Sequence, residues 1–213
     1  MKRILFQGDS ITDCGRDRKN FYSLGTGYSL LVRAHLGTEC PKEYEFVNRG
    51  IGGNRIVDLY ARIKADLINL RPDYLSIYIG VNDVWHEISE QNGVDTEKFE
   101  KIYCMMLDEI KAACPDVKII LIAPYVLEGV ATCNTEEKPD RLQQFKVGVA
   151  EKAEACKRVA EKYRLPLIEL QPIFDAALEK APANYWTYDG VHPTANGHEL
   201  IKRLWLEAFE LIK

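Results

Sequence analysis

Five short apolar runs that alternate with helical segments constrain the fold of this chain more than any other feature. The runs lie at residues 3–7, 44–48, 74–79, 117–123 and 167–170. The segments with the apolar spacing of amphipathic helices lie at residues 28–36, 56–70, 96–113, 140–163 and 195–211. Strands that alternate with helices form a parallel sheet covered on both faces. We therefore predict an α/β fold and a single domain over residues 1–213.

Polar, glycine-rich turns follow the first three apolar runs. Ser10 lies in a Gly-Asp-Ser turn after the first run, Gly53 in the turn after the second, and Asn82 in Gly-Val-Asn-Asp after the third. Asp189 and His192 form an Asp-x-x-His segment just before the last helical segment. Right-handed crossovers place the carboxyl ends of all parallel strands at one edge of the sheet, where such folds bind ligands. We expect these five residues to meet at that edge.

These residue types are the parts of a nucleophilic site. A serine becomes a good nucleophile when a histidine takes its proton, and a carboxylate fixes the tautomer of that histidine. Ser10, His192 and Asp189 fit these three roles. The developing oxyanion needs hydrogen-bond donors, and the backbone N–H groups of Ser10 and Gly53 and the side-chain amide of Asn82 are suitable. Each motif alone is also typical of an ordinary turn, but four such motifs in order indicate one site. Ser10 is not in the Gly-x-Ser-x-Gly elbow of α/β-hydrolases.

Charge and hydropathy exclude several classes of function. The formal net charge is −4 and the basic residues are scattered, which argues against a surface for nucleic acid or for anionic membranes. No apolar stretch approaches the roughly 18 residues that span a bilayer. Residues 1–9 lack the apolar region of a secretory signal. We therefore expect a cytoplasmic protein.

The six cysteines are consistent with that compartment. They are dispersed, they form no Cys-x-x-Cys pair, and no histidine lies near them at zinc-binding spacing. We expect them to be reduced, partly buried thiols, and we expect no metal site. Cys14 lies four residues after Ser10, but the sequence indicates no base for it.

The motifs around Ser10, Gly53, Asn82 and His192 resemble the four blocks of the SGNH (GDSL) hydrolase superfamily, and the match covers nearly the whole chain. The resemblance implies a three-layer α/β/α sandwich, flavodoxin-like, with a five-stranded parallel sheet in the order 2-1-3-4-5. It also implies ester hydrolysis through an acyl-enzyme, with Asp189 beside the histidine and without a cofactor.

Shorter stretches are similar to a narrower group, the bacterial carbohydrate acetylesterases, which include intracellular acetyl-xylan esterases. These stretches lie at residues 8–16, 24–28, 80–85 and 123–125. The similarity implies removal of acetyl groups from the hydroxyls of xylo-oligosaccharides or other sugars. It also implies assembly into homo-oligomers.

Several residues are candidates for contact with such a substrate. Aromatic faces suit sugar rings, and four aromatic residues are expected on loops beside the site: Trp85, Tyr125, Trp186 and Tyr188. Packing at the rim would explain them equally well. Arg55 is placed either to bind a sugar or to brace its loop, and the polar loop 128–138 is placed either at the rim or in a subunit contact. His35 and His198 fall on helices, where a structural or a solvated role is expected.

Three functions are consistent with the sequence. The leading hypothesis is an acetylesterase whose partner is a small-molecule ester, an acetylated oligosaccharide. A lysophospholipase or acyl-thioesterase is the alternative, but the sequence shows no apolar lid and its loops are polar. A non-catalytic carbohydrate-binding protein on the same fold is the third, although no residue of the predicted site is missing.

Overall fold

A five-stranded parallel sheet forms the centre of the protein, which a computed structural model describes over residues 1–213. The strands are β1 (Lys2–Gly8), β2 (Tyr44–Asn48), β3 (Tyr74–Tyr78), β4 (Lys118–Ala123) and β5 (Leu167–Glu169). The helices are α1 (Ser10–Asp13), α2 (Tyr28–Glu39), α3 (Ile56–Ala61), α4 (Ile63–Asp66), α5 (Val81–Glu90), α6 (Thr96–Ala113), α7 (Arg141–Tyr163), α8 (Gln171–Leu178), α9 (Ala183–Trp186) and α10 (Ala195–Glu210). No helix combines the length and the hydropathy needed to cross a membrane.

The strand order is β2-β1-β3-β4-β5, and every pair is parallel. The predicted α/β fold and sheet order are therefore confirmed. Strand β1 lies between β2 and β3, so Phe6 pairs with Asn48 on one side and with Ser76 on the other. This register brings the ends of β1, β2 and β3 together, and with them the turns that carry Ser10, Gly53 and Asn82.

Two apolar layers cover the two faces of the sheet. Along β1, Ile4 and Phe6 enter one layer and Leu5 enters the other, because successive side chains of a strand point to opposite faces. The first layer includes Trp205 from α10, which lies 5.4 Å from Phe6 between ring centroids. The second includes Leu107 from α6. The buried helical faces thus explain the apolar spacing seen in the sequence.

The predicted helix over residues 56–70 is wrong as a single element. It divides into α3, α4 and a short 3₁₀ turn, Ile68–Leu70. The first break falls at Arg62, whose guanidinium donates to Gly8 O (3.1 Å) and to Arg49 O (2.8 Å). The Arg62 side chain thereby joins the end of β1 to the turn after β2. The spacing of apolar residues could not predict this break, because the contact is made by a polar side chain.

Candidate active site

Ser10 lies at the first position of α1, directly after β1. Asp9 precedes it, and the Asp9 Oδ1 atom accepts the backbone N–H of Ile11 at 3.0 Å. Asp9 is fully buried and its Oδ2 atom has no hydrogen-bond partner, so burial raises the pKa of this carboxyl to about 7. The predicted Gly-Asp-Ser turn is thus the capped start of a one-turn helix.

His192 and Asp189 meet Ser10 from the other end of the chain. Asp189 Oδ1 accepts the backbone N–H groups of Val191 (2.9 Å) and His192 (2.8 Å), which closes a tight turn. His192 Nδ1 lies 2.7 Å from Asp189 Oδ2, and His192 Nε2 lies 2.9 Å from Ser10 Oγ. Because a carboxylate can only accept, we assign the imidazole hydrogen to Nδ1. Nε2 is then free to accept the serine proton.

The electrostatics of this pair fit a base held by a carboxylate. The hydrogen bond to Asp189 raises the pKa of His192 above its usual value. Burial lowers this pKa, but the nearby charges of Asp189 and Asp9 also raise it, so the overall shift is upward. Partial burial raises the pKa of Asp189, but the hydrogen bonds from His192 and Val191 outweigh it, so the pKa of Asp189 is lowered overall. Asp189 therefore stays ionised beside an imidazole that gains a proton readily.

The turns after β2 and β3 supply the candidate oxyanion donors. Gly53 has φ +82°, a left-handed conformation that favours glycine. A Cβ atom on the neighbouring Gly52 would lie 3.7 Å from Ser10 Cβ, so this turn lies against the serine. Asn82, in the first turn of α5, donates one amide hydrogen to Asn54 O at 3.1 Å. Its second amide hydrogen is left for a ligand.

The loop 128–138 supports the turn that carries Asp189. Leu127 N donates to Gly190 O (2.8 Å), and Ala131 N donates to Asp189 O (3.0 Å). A Cβ atom on Gly129 would collide with Asp189 and Gly190, so the close approach requires glycine there. The sequence allowed two places for this loop, the rim of the site or a subunit contact. In the structure, its first residues support the turn of the candidate site.

Two of the four aromatic candidates lie beside His192. The Trp85 ring centroid is 6.0 Å from that of His192, and Trp85 lies on α5 rather than on a loop. Tyr188 is 72% exposed, and its backbone N–H donates to His192 O at 2.8 Å. Contact of Trp85 and Tyr188 with a ligand stays a prediction.

The other two aromatic candidates belong to the core, so their predicted contact with substrate is corrected. Tyr125 is 0% exposed, stacks on Phe174 at 3.8 Å between centroids, and donates its hydroxyl hydrogen to Val191 O. Trp186 is 9% exposed, and its indole N–H lies 3.1 Å from the carbonyl oxygens of Ala177 and Ala181. A sugar ring cannot reach either face.

Arg55 has the bracing contacts that the sequence allowed for it. Its Nε atom donates to Asp58 Oδ2 at 3.0 Å, and a terminal nitrogen donates to Asn92 O at 2.6 Å. Most of its hydrogen-bonding capacity is therefore used within the protein. Its side chain keeps an exposed fraction of 18%.

Two groups near the site could not be predicted from local sequence. His198 is buried, its Nδ1 accepts the backbone N–H of Tyr28 at 3.1 Å, and its Nε2 lies 3.3 Å from Cys14 Sγ. Asp83 is also buried and accepts the N–H of Ile56 across the gap between two turns. Hydrophobic spacing carries no signal for either contact, because the partners are far apart in the sequence. No group of three His, Cys, Asp or Glu side chains is arranged to hold a metal ion.

Comparison with known proteins agrees with this geometry. The model of the GDSL-like lipase/acylhydrolase family matches residues 6–200. The chain is 34% identical to an acetylxylan esterase of Geobacillus stearothermophilus, over 100% of this chain and 96% of that protein. A GDSL-like protein of Parabacteroides merdae is similar in structure, with a TM-score of 0.89 and 34% identity over 99% of this chain and 96% of that one. The crystal structure of Axe2, an acetylxylan esterase from Geobacillus stearothermophilus, gives a TM-score of 0.82 and 33% identity over 97% of this chain and 93% of that one.

The predicted superfamily is confirmed: the chain belongs to the GDSL-like lipase/acylhydrolase family and is a carboxylic ester hydrolase.

Proposed function

We propose that this protein is a serine esterase that removes acetyl groups from sugar hydroxyls, with xylo-oligosaccharides as the substrate class. The observation that carries the proposal is the chain of contacts from Ser10 Oγ to His192 Nε2 (2.9 Å) and from His192 Nδ1 to Asp189 Oδ2 (2.7 Å). These distances are those of a nucleophile, its base and the group that orients the base.

The proposed reaction has two halves. Ser10 Oγ attacks the ester carbonyl while His192 Nε2 takes the serine proton, and the N–H groups of Ser10 and Gly53 and the amide of Asn82 bind the oxyanion. The tetrahedral intermediate collapses, the sugar oxygen leaves with the proton from His192, and the acetyl group stays on Ser10. A water molecule then gives a proton to His192 and attacks the acetyl-enzyme. The bond between the acetyl carbon and Ser10 Oγ breaks, Ser10 Oγ takes the proton back from His192, and acetic acid leaves and ionises to acetate.

The acetyl group and the sugar are inferred from relatives. The protein of Geobacillus stearothermophilus that matches over the whole chain is an acetylxylan esterase. Catalytic mutants of Axe2 replace a serine, an aspartate or a histidine by alanine, and that aspartate and histidine are three positions apart. Asp189 and His192 have the same spacing. Trp85, Tyr188 and the exposed part of Arg55 are the proposed contacts for the sugar.

The deciding experiment is a chain-length profile with p-nitrophenyl acetate, butyrate and octanoate, together with acetate release from acetylated xylo-oligosaccharide. We expect a steep fall in kcat/KM beyond acetate and release of acetate from the sugar. Ser10→Ala should abolish both activities, whereas Ser89→Ala, an exposed serine on α5, should abolish neither. Good turnover of octanoate with no release from the sugar would support the lysophospholipase or thioesterase alternative. Retained activity in Ser10→Ala would contradict the site assignment.

Two further features of the setting stay predictions. We infer a cytoplasmic site of action, which the six free cysteines support. We infer a homo-oligomer, with the exposed side chains of Tyr185 and Val130 as candidate subunit contacts. Light scattering on the purified protein measures the subunit number directly.

A further inference from the structure

Asp83 is a buried carboxyl group that the proposed reaction does not use. It lies in the Gly-Val-Asn-Asp segment after β3, but its side chain reaches a different segment of the chain. Asp83 is 1% exposed, and its Oδ1 and Oδ2 atoms lie 3.0 and 3.3 Å from the backbone nitrogen of Ile56. Ile56 is the first residue of α3, so a residue of α5 caps another helix.

The two segments joined by this contact carry two of the three proposed oxyanion donors. Gly53 lies three residues before Ile56, and Asn82 immediately precedes Asp83. A second link runs in parallel, since the Asn82 amide donates to Asn54 O at 3.1 Å. The Asp83 carbonyl in turn accepts the N–H of Val94 at 3.0 Å, which fixes the start of α5.

We propose that Asp83 is a positioning residue for the oxyanion hole, because it fixes the Gly53 turn against the helix that carries Asn82. This inference rests on the proposed function. Ile56 is fully buried in an apolar layer. Loss of the Asp83 side chain would therefore leave the Ile56 N–H without an acceptor, which costs free energy. We expect the segment of Gly53 and Ile56 to move so that this N–H finds another partner. Movement of the segment displaces Gly53 from the oxyanion.

A neutral side chain is sufficient for this role. Burial raises the pKa of Asp83 to about 8, against the lowering effects of the Ile56 N–H and of nearby Lys152. At neutral pH the group is therefore largely an uncharged acceptor. An asparagine keeps an acceptor oxygen at the same place, whereas an alanine does not.

The test compares Asp83→Ala and Asp83→Asn with p-nitrophenyl acetate as substrate. We expect Asp83→Ala to lower kcat roughly 10- to 100-fold with little change in KM, because the donors act in the transition state. Asp83→Asn should restore most of kcat. Full activity of Asp83→Ala would overturn the proposal, as would an equal loss of kcat in Asp83→Ala and Asp83→Asn.

A matched control separates positioning from general stability. Asp73 also accepts a distant backbone N–H, that of Arg3 at 2.6 Å, at the opposite edge of the sheet. Asp73→Ala should leave kcat near the wild-type value. Hydrogen exchange should speed up over residues 50–58 in Asp83→Ala and not in Asp73→Ala. If the wild-type protein hydrolyses no ester, the proposed function fails, and the exchange result alone decides whether Asp83 fixes this segment: unchanged exchange overturns the inference.

Discussion

Two histidines six residues apart, His192 and His198, have opposite environments although both lie beside α1. His192 Nδ1 faces the Asp189 carboxylate, which raises the pKa of the imidazole and leaves Nε2 open toward Ser10 Oγ. His198 Nδ1 accepts the N–H of Tyr28, so its hydrogen lies on Nε2. Burial lowers the pKa of His198 to about 4. The partner at Nδ1 therefore decides which ring nitrogen can accept a proton, and with it whether the residue can act as a base.

The largest predicted effect separates the two residues by activity. His192→Ala should lower kcat by roughly 10⁵- to 10⁶-fold, as removal of the histidine does in serine hydrolases. His198→Asn keeps an acceptor for Tyr28 N–H and should retain most of kcat. Steady-state kinetics with p-nitrophenyl acetate, with melting temperatures to confirm folding, measure both. Equal losses at the two positions in folded protein would contradict the assignment of His192 as the base.

The next effect tests the carboxylate that distinguishes His192. Asp189→Asn should lower kcat by about 10⁴-fold, because an amide can stabilise the wrong tautomer. The hydrogen bond to Asp189 is the main cause of the raised pKa of His192, so this pKa should fall in the variant. In the wild type, activity should be lost as the pH drops through the raised pKa, since the imidazolium cannot accept the serine proton. NMR titration of the His192 ring measures its pKa in the wild type and in Asp189→Asn. An unchanged pKa would contradict the assignment of Asp189 as the partner that raises the pKa of His192.

The contrast also shows what the sequence could predict. The turns at Ser10, Gly53 and Asn82 are local motifs at strand ends, and parallel strands force their ends to one edge of the sheet. Asp189 and His192 are three residues apart, so one tight turn brings them together. Fold and site chemistry follow from such local patterns and from the family resemblance.

Contacts between distant segments could not be read in this way. Tyr125 follows β4 at the same edge as the site, which suits a ligand contact, but Phe174 and Val191 bury it. His198 has a partner in Cys14, 184 positions away. The spacing of apolar residues predicts which face of a helix is buried, but it does not predict which residue of another segment packs against that face.

The smallest predicted effect concerns stability and belongs to His198. Its pKa in the folded protein, about 4, lies below its usual value of 6.5. Between these pH values the unfolded chain binds a proton that the folded protein does not, so His198 destabilises the fold as pH falls, by on the order of 3 kcal/mol at the limit. Asp9 and Asp83 act in the opposite direction, because burial raises their pKa values to about 7 and about 8 and the folded protein takes up protons first.

The dependence of the wild-type unfolding free energy on pH therefore combines opposing contributions. The contribution of His198 is isolated by the difference in unfolding free energy between the wild type and His198→Asn. Urea unfolding of wild type and His198→Asn at several pH values between 7.5 and 4.5 gives that difference directly. We expect the stability advantage of the wild type to shrink as the pH falls below about 6.5, since only the wild type has an imidazole to protonate on unfolding. A difference that is constant with pH would mean that the imidazole takes up its proton in the folded protein as easily as in water. Burial among Tyr28 and Cys14 would then not be what keeps His198 neutral, and the two histidines would differ only in the partner at Nδ1.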